Sequence, residues 1–359
     1  MSLHGVEQKK VFILHSYAQE YSWTKRQHEG FIKRLNENKD FDFQISSEYL
    51  DTKRISFTLA YQEVFFEYLK VKYRNYQPDV IYCSDDNALN FLREYKKELY
   101  GETPVIFSGI NNLSLPDTLQ SYEYRGIFES KEVEPNIKLI NHFSQQAKEV
   151  YFIGDNSSTY QDIKRDIKKK MLTHQRLTPH YLASENIDTI IESLKTLPRS
   201  FAILTTIGNF KDNHANSLTL SESIKKLSSL KNIIILTMED AYMLPGVLGG
   251  YVTSGMLHGE IAANMALKLL NGLPIEKMSS TLEGQYVYMF NEKEVYAKGF
   301  ILSQYIARDA IIINKKESFW KDTQESSLFV IIFFLLLAIM ILSFLAYYFY
   351  QESESKPSN

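Results

Sequence analysis

The sequence predicts an α/β protein built as two Rossmann-like, doubly wound lobes followed by one C-terminal transmembrane helix. Three observations predict it. Short apolar runs of strand length alternate with amphipathic helical stretches from about residue 10 to residue 240, in two successive sets. The 359 residues, 44% hydrophobic and 23% charged, are enough for one large core or two medium ones. Residues 328–350, LFVIIFFLLLAIMILSFLAYYFY, carry no charge and would span roughly 34 Å as a helix, long enough to cross a bilayer.

In the first set the runs VFILHSY, FQISSEYL, DVIYCSD and TPVIFSGI are separated by helical patterns at 22–36, 58–75 and 86–99, which makes a first parallel sheet. The second set is YRGIF, EVYFIGD, RLTPHYL, FAILTTI and NIIILTM, with helices near 132–145, 158–173, 185–196 and 217–229. In the C-terminal span, Tyr347, Tyr348 and Tyr350 at one end and Trp320 a little before the other stand where interfacial anchors would. A buried core helix rarely runs this long without a polar face. The tail QESESKPSN, 351–359, is too short to fold. The amino terminus, MSLHGVEQKK, has no apolar core of a signal peptide.

Composition excludes several partners and chemistries. A net charge of −3 with lysines scattered among acids offers no basic field for nucleic acid. The single cysteine, Cys83, lies in the apolar run VIYCSDD and reads as a buried small residue, so neither a disulfide nor a thiolate metal site can form within one chain.

Parallel sheets of this kind bind ligands beyond the carboxyl ends of their strands. That rule selects Ser16 and Tyr17 after the first strand, Ser84, Asp85 and Asp86 after the third, and Ser108, Gly109, Asn111 and Asn112 after the fourth. In the second set it selects Asp155, Asn156 and Ser157, then Thr205 and Thr206, then Glu239, Asp240 and Tyr242. Two such rims facing one another would make a cleft of hydroxyls, amides, carboxylates and aromatic rings. Tyr17, Tyr21 and Trp23 flank the first strand-to-helix turn, and of these Tyr17 and Trp23 are the candidate ligand contacts, offering stacking or cation–π contact worth about 1 kcal/mol. Asp85 and Asp86 also fit a helix N-cap and first-turn acid, and His15 also fits a core histidine.

Other chemistries lack their motifs. Neither GxGxxG nor GxxxxGK[ST] follows any strand, so a nucleotide site is not expected. A phosphate-accepting receiver would need an acidic pair after the first strand, where His15 and Ser16 stand. No GxSxG elbow occurs, and the eight histidines show no HExxH or paired metal spacing. No catalytic residue, metal or cofactor is expected.

Taken in order, HSYAQEYSWT, EGF, EYLDTKR, PDVIYCSDDNALNFL and TPVIFSGINN resemble successive motifs of periplasmic sensor domains related to the ABC-transporter substrate-binding proteins. The resemblance continues through GGYVTSGMLHGEIAANMALKLLNGLPIEKM, YVYMFNEKEVYAKGF and IIINKKESFW, so it covers nearly the whole chain. It implies a type I periplasmic-binding fold, two lobes crossed by three hinge strands that close on a small molecule. It also implies a receptor followed by a membrane helix and a cytoplasmic histidine kinase or diguanylate cyclase. That output domain, and a first membrane or signal segment, are expected outside these 359 residues.

The expected lobes are 9–113 with 241–277 and 114–240 with 278–310, followed by a juxtamembrane segment 311–327, the membrane helix 328–350 and the tail. The resemblance puts the large domain in the periplasm or outside the cell, whereas Lys315, Lys316 and Lys321 before the span, against Lys356 after it, would put it in the cytoplasm. The expected function is a membrane-anchored sensor, dimeric through paired helices, that binds an amino acid, an amine-bearing metabolite or a nucleoside-like compound; the side chains would tolerate a sugar too. The alternative is a tethered solute-delivery component of an ABC transporter.

Overall fold

The computed structural model describes residues 7–112, 123–174, 176–281, 286–315 and 319–354. A body running through Ile313 and a segment from Asn314 onward are separate compact units.

The body opens with β1 (Glu7–His15), α1 (Ser22–Asn36), β2 (Phe41–Tyr49), α2 (Leu59–Lys72), β3 (Val80–Ser84), α3 (Asp85–Tyr100), β4 (Val105–Ile110) and β5 (Tyr124–Phe128). Their order in the first sheet is β2-β1-β3-β4-β5, every pair parallel. Val11–Leu14 of β1, Val80–Cys83 of β3 and Val105–Phe107 of β4 are apolar and buried because helices cover both faces. On one face Phe12, Leu14, Ile81 and Phe107 pack under α3. On the other, Ile13, Tyr82 and Ile106 pack under α1, with Phe31 stacked on Tyr82 at 4.1 Å. Each such side chain contributes about 1.5–3 kcal/mol by leaving water.

The second sheet is formed by β6 (Glu149–Gly154), β7 (Thr178–Ala183), β8 (Ser200–Thr206), β9 (Ile233–Thr237), β10 (Gly249–Thr253), β11 (Tyr286–Asn291) and β12 (Ile311–Ile313), in the order β12-β11-β10-β9-β8-β6-β7. Only β10 and β11 pair antiparallel. Its helices are α4 (Val133–Phe143), α5 (Ser158–Met171), α6 (Ile187–Lys195), α7 (Leu220–Ser228), and the short α9 (Glu292–Ala297) and α10 (Gln304–Ala307). The helix α8 (Gly255–Leu270) instead joins the first lobe against α1. The two helices touch backbone to backbone: a Cβ on Gly259 would stand 2.0 Å from the Gln27 carbonyl oxygen.

Three expectations about the division of the chain change. The strand YRGIF was expected to open the second set, but β5 pairs with β4 and closes the first sheet. The first crossing therefore follows Phe128, and the expected boundary between residues 113 and 114 lies outside the described residues. The stretch 241–277 divides, β10 belonging to the second sheet and α8 to the first lobe. Residues 311–313, expected beside the membrane, form β12 of the second sheet. The chain thus passes between lobes after Phe128, between Thr253 and Gly255, and between Thr281 and Tyr286, Thr281 still bridging Ile127 of the first sheet.

The separate segment contains α11 (Phe319–Glu354), within which Val330–Tyr348 is long and apolar enough to cross a membrane. The rest of the expected tail, from residue 355, lies outside the described residues, as do residues 316–318 of the expected juxtamembrane segment.

Candidate functional site

Both sheets end their strands toward a cleft of about 870 Å³, lined by Ala18, Tyr21 and Lys53 of the first lobe and Asp155, Asn209 and Lys211 of the second. The hydroxyls chosen from the strand ends are mostly occupied within their own lobe. Ser16 Oγ donates to the Ser84 carbonyl and accepts from the Ala88 N–H, both at 2.8 Å, fastening β1 to the start of α3. Ser84 Oγ bonds His15 Nδ1 at 2.8 Å, and His15 Nε2 faces His28 Nδ1 at 3.0 Å. Ser108 Oγ pairs with the Tyr82 hydroxyl at 2.7 Å, and Thr205 Oγ1 donates to the Ile153 carbonyl at 2.7 Å. These groups lie beneath the cleft and hold its walls.

Two carboxylates organise the rims. Asp86 accepts the N–H of Asn111 at 3.2 Å and of Asn112 at 3.4 Å, closing the turn after β4, while the Asn111 amide donates to the Gly109 carbonyl. Burial raises the Asp86 carboxyl, and those N–H groups oppose the rise. Across the cleft Asp155 accepts Ser157 Oγ at 2.7 Å, Thr206 Oγ1 at 2.9 Å and the Asn209 N–H at 2.9 Å. Ser157 also caps α5 by accepting the Tyr160 N–H, and Asn156, with φ 61°, accepts from Gln161.

The aromatic residues converge. Trp23, 3% exposed, donates its Nε1–H to Asp85 Oδ1 at 2.9 Å, while its ring packs among second-lobe residues with Tyr242 and Ile207. Tyr17 and Tyr21 meet edge to face at 5.3 Å, with the Lys53 ammonium 4.7 Å from the Tyr17 ring centroid. The Tyr21 and Tyr242 phenols lie close enough to act on one another, and burial first, then Glu239 and Asp155, raise both. The start of α1 is therefore built into the second lobe.

Behind these rings lies a buried charge cluster at the first crossing. Lys131 Nζ binds Glu129 in a very short contact and Glu239 at 2.8 Å. Burial pushes Glu129 up to about 7, Lys131 pulling it down and Glu239 pushing it further up. Burial would lower Lys131, but Glu129 and Glu239 together hold it above its usual value. Asp85 is raised well above the carboxylate range by burial first and by Glu129 second. Asp240 is raised by burial, with Arg26 opposing at 3.4 Å and the Gly255 N–H bonded at 3.1 Å.

Several buried polar atoms here meet no partner among the described residues: Asp85 Oδ2, Asp240 Oδ1, both amide atoms of Gln27, both ring nitrogens of His258 and Thr24 Oγ1. His258 lies edge-on to Trp23 at 5.4 Å, and its imidazole is pushed down to about 3 by burial and by Lys131. Of the residues chosen from sequence, Tyr17, Trp23, Asp85, Glu239, Asp240 and Tyr242 come together with this cluster. Asp155, Ser157 and Thr206 form a separate wall. Gln27, Glu129, Lys131 and His258 were not among them. Thr24 and Gln27 interrupt the face of α1 that buries Trp23 and Phe31, a polar break in an apolar stripe that was a readable signal.

No protein-family model matches the chain, and no curated protein matches its sequence. Solved structures do share its shape. The ABC domain in complex with L-Trp from Streptococcus pneumonia superposes with a TM-score of 0.63 at 15% identity, over 86% of this chain and 100% of that one. The ligand-free, open structure of CD0873, a substrate binding protein with adhesive properties from Clostridium difficile, gives 0.62 at 15% identity, over 86% and 100%. The TorS sensor domain in its complex with TorT, in the absence of ligand, gives 0.53 at 10% identity, over 87% and 100%. With its two lobes, parallel sheets and three crossings, the chain has the type I periplasmic-binding fold of the substrate-binding proteins.

Proposed function

We propose that this chain is an extracytoplasmic sensor, anchored in the cell membrane by α11, that binds a small polar metabolite, amino-acid-like or amine-bearing, in the interlobe cleft and performs no catalysis. One observation carries the reading: among the described residues, buried polar atoms without a partner stand in both lobes where the lobes meet, Asp85 and Gln27 in the first and Asp240 in the second, behind the cleft that Tyr21 and Lys53 line opposite Asp155 and Asn209. Each such group left unmade costs about 1–3 kcal/mol. A ligand that satisfies groups on both lobes binds the closed state better than the open one, which is the differential affinity a population shift requires.

Lobe closure carries β12 with the second sheet, and the chain continues from Ile313 toward α11. In this reading a homodimer pairs its membrane helices and passes the movement to a cytoplasmic kinase or cyclase output domain. The sensor domain among the structures of like shape supports it. A second reading, a tethered solute-binding component of an ABC transporter, is favoured by the substrate-binding proteins of like shape, while the apolar helix α11 favours the sensor. A thermal-shift screen against amino acids, amines, nucleosides, sugars and organic acids tests both: a ligand at a hundredfold excess over its Kd adds about 2.7 kcal/mol, a shift of several degrees. A folded protein that no compound stabilises or closes would count against either reading.

A further inference from the structure

Behind the cleft, at the first crossing, acid outnumbers base. Asp85, Asp86 and Glu129 lie close enough to act on one another, and the buried Lys131 ammonium is occupied by Glu129 and Glu239. Asp86 is answered by two backbone N–H groups. Asp85 is answered on one oxygen only: at 2% exposure, Oδ1 takes the Trp23 N–H and Oδ2 meets no donor among the described residues. A buried carboxylate with an unfilled oxygen costs several kcal/mol when ionised. The backbone adds to that cost, since Asp85 sits at φ 67°, a left-handed conformation unusual for a non-glycine residue.

A second observation marks the same spot. Gln27 reaches it from α1, fully buried, with neither amide atom partnered among the described residues. Gln27 and Asp85 are neighbours across Gly109: a Cβ there would lie 2.7 Å from Gln27 Nε2 and 2.8 Å from Asp85 Oδ1. Gly109 itself has φ 73°, so the β4 terminus both turns sharply and leaves these two side chains side by side. Tyr17 stands close enough for Asp85, Asp86 and Glu129 to act on its hydroxyl, and Trp23 covers the other oxygen of Asp85.

We propose that the ligand is an organic cation whose charged nitrogen, an ammonium or amidinium, is held by Asp85 Oδ2 and the Gln27 amide oxygen beside the rings of Tyr17 and Trp23. The proposal rests on the receptor reading above and narrows its ligand class. An anionic group finds the buried Lys131 ammonium engaged by Glu129 and Glu239, and the other nearby ammonium, Lys53, stands out in the cleft over the Tyr17 ring and not at Asp85. A cation here fills the empty carboxylate oxygen and gains ring contact at once.

The test uses the full chain in lipid nanodiscs and matched probes: tyramine against 4-ethylphenol, putrescine against 1,4-butanediol, and tyrosine against 3-(4-hydroxyphenyl)propionate. Melting and calorimetric binding are measured for the parent and for Asp85→Asn, which keeps the acceptor for Trp23. The expected result is that an amine binds, its deaminated partner does not, and Asp85→Asn weakens the amine at least tenfold. Without ligand, Asp85→Asn should melt above the parent, by more at pH 8 than at pH 5; that difference separates lost charge from the easier left-handed backbone of Asn. Deaminated partners binding as well as the amines would overturn the cation assignment while leaving the receptor reading standing. If every probe is silent, the ligand-free comparison decides: a gain from Asp85→Asn that grows with pH supports the proposal, and equal or lower melting at pH 8 overturns it.

Discussion

Trp23 and Asp85 are joined by a 2.9 Å hydrogen bond that ties the first turn of α1 to the start of α3, while the indole ring packs in the core of the opposite lobe. A single side chain thus links a buried carboxylate of one lobe to the packing of the other.

Replacing Trp23 tests that link. At 3% exposure the ring belongs to the core, so Trp23→Ala should cost about 3–5 kcal/mol, more than a surface contact would. Trp23→Phe keeps most of the packing and removes the N–H, leaving Asp85 without its donor. We expect an intermediate loss of melting temperature for Trp23→Phe, measured beside Trp23→Ala by circular dichroism. Equal, small losses for both would place the ring outside the core.

Gly109→Ala should damage the site more than the fold. The new methyl group would meet Gln27 Nε2 and Asp85 Oδ1 at under 3 Å from a left-handed backbone, at a cost of roughly 1–3 kcal/mol. The expected outcome is a folded protein, by circular dichroism, that binds its ligand at least tenfold more weakly. Unchanged affinity would remove Gln27 and Asp85 from the site.

Asp85 and Glu129 should each take stability away as the solution becomes more alkaline through neutrality, while the buried histidines His15 and His258, whose folded values are lowered, return it. Asp85 and Glu129 both have folded values above their unfolded ones, Glu129 at about 7. Each is a group that binds its proton more tightly when folded, so its contribution is fully present below the unfolded value near 4 and is lost as pH rises through the folded value. The groups facing the pair are Asp86, Glu239, Lys131 and the phenols of Tyr17 and Tyr21. We expect Glu129→Gln to gain on the parent by on the order of 2 kcal/mol between pH 5 and pH 8, a difference in which the histidine contributions, common to both chains, cancel. A difference that does not grow with pH would reverse the assignment.

Ending the chain at Ile313 should leave a folded, soluble body. Residues through Ile313 form one compact unit, with β12 as the last strand of the second sheet. The truncated chain should be monodisperse in gel filtration and keep cooperative melting. A chain cut before Ile311 should melt lower, because β11 then loses the parallel partner it has in Ile311–Ile313.

Much of this architecture was legible because amphipathic helices and apolar strands repeat with different periods. The helices α1 to α7 fall within a few residues of their expected places for that reason. Sheet membership was less legible: YRGIF has the composition of either sheet, and only its hydrogen bonds to β4 assign it. Strand ends pointed to Tyr17, Asp85 and Tyr242, and the same rule applied after YRGIF would have reached Glu129 and Lys131. Gln27 and His258 escaped it because they enter from buried helix faces, where a pattern of period 3.6 leads one to expect apolar residues. Ser16, Ser84, Ser108 and Thr205 stand at strand ends yet spend their hydroxyls inside the fold, a distinction no linear pattern carries.

The central claim is that a small molecule closes two lobes over one cleft. Spin labels at Arg54→Cys and Lys211→Cys, on opposite cleft walls, report that distance by double electron–electron resonance, with Cys83 buried and replaced by Ser. The account predicts a broad distribution without ligand that narrows and shortens with a compound that raises the melting temperature. An unchanged distribution with such a compound bound would contradict closure as the signal.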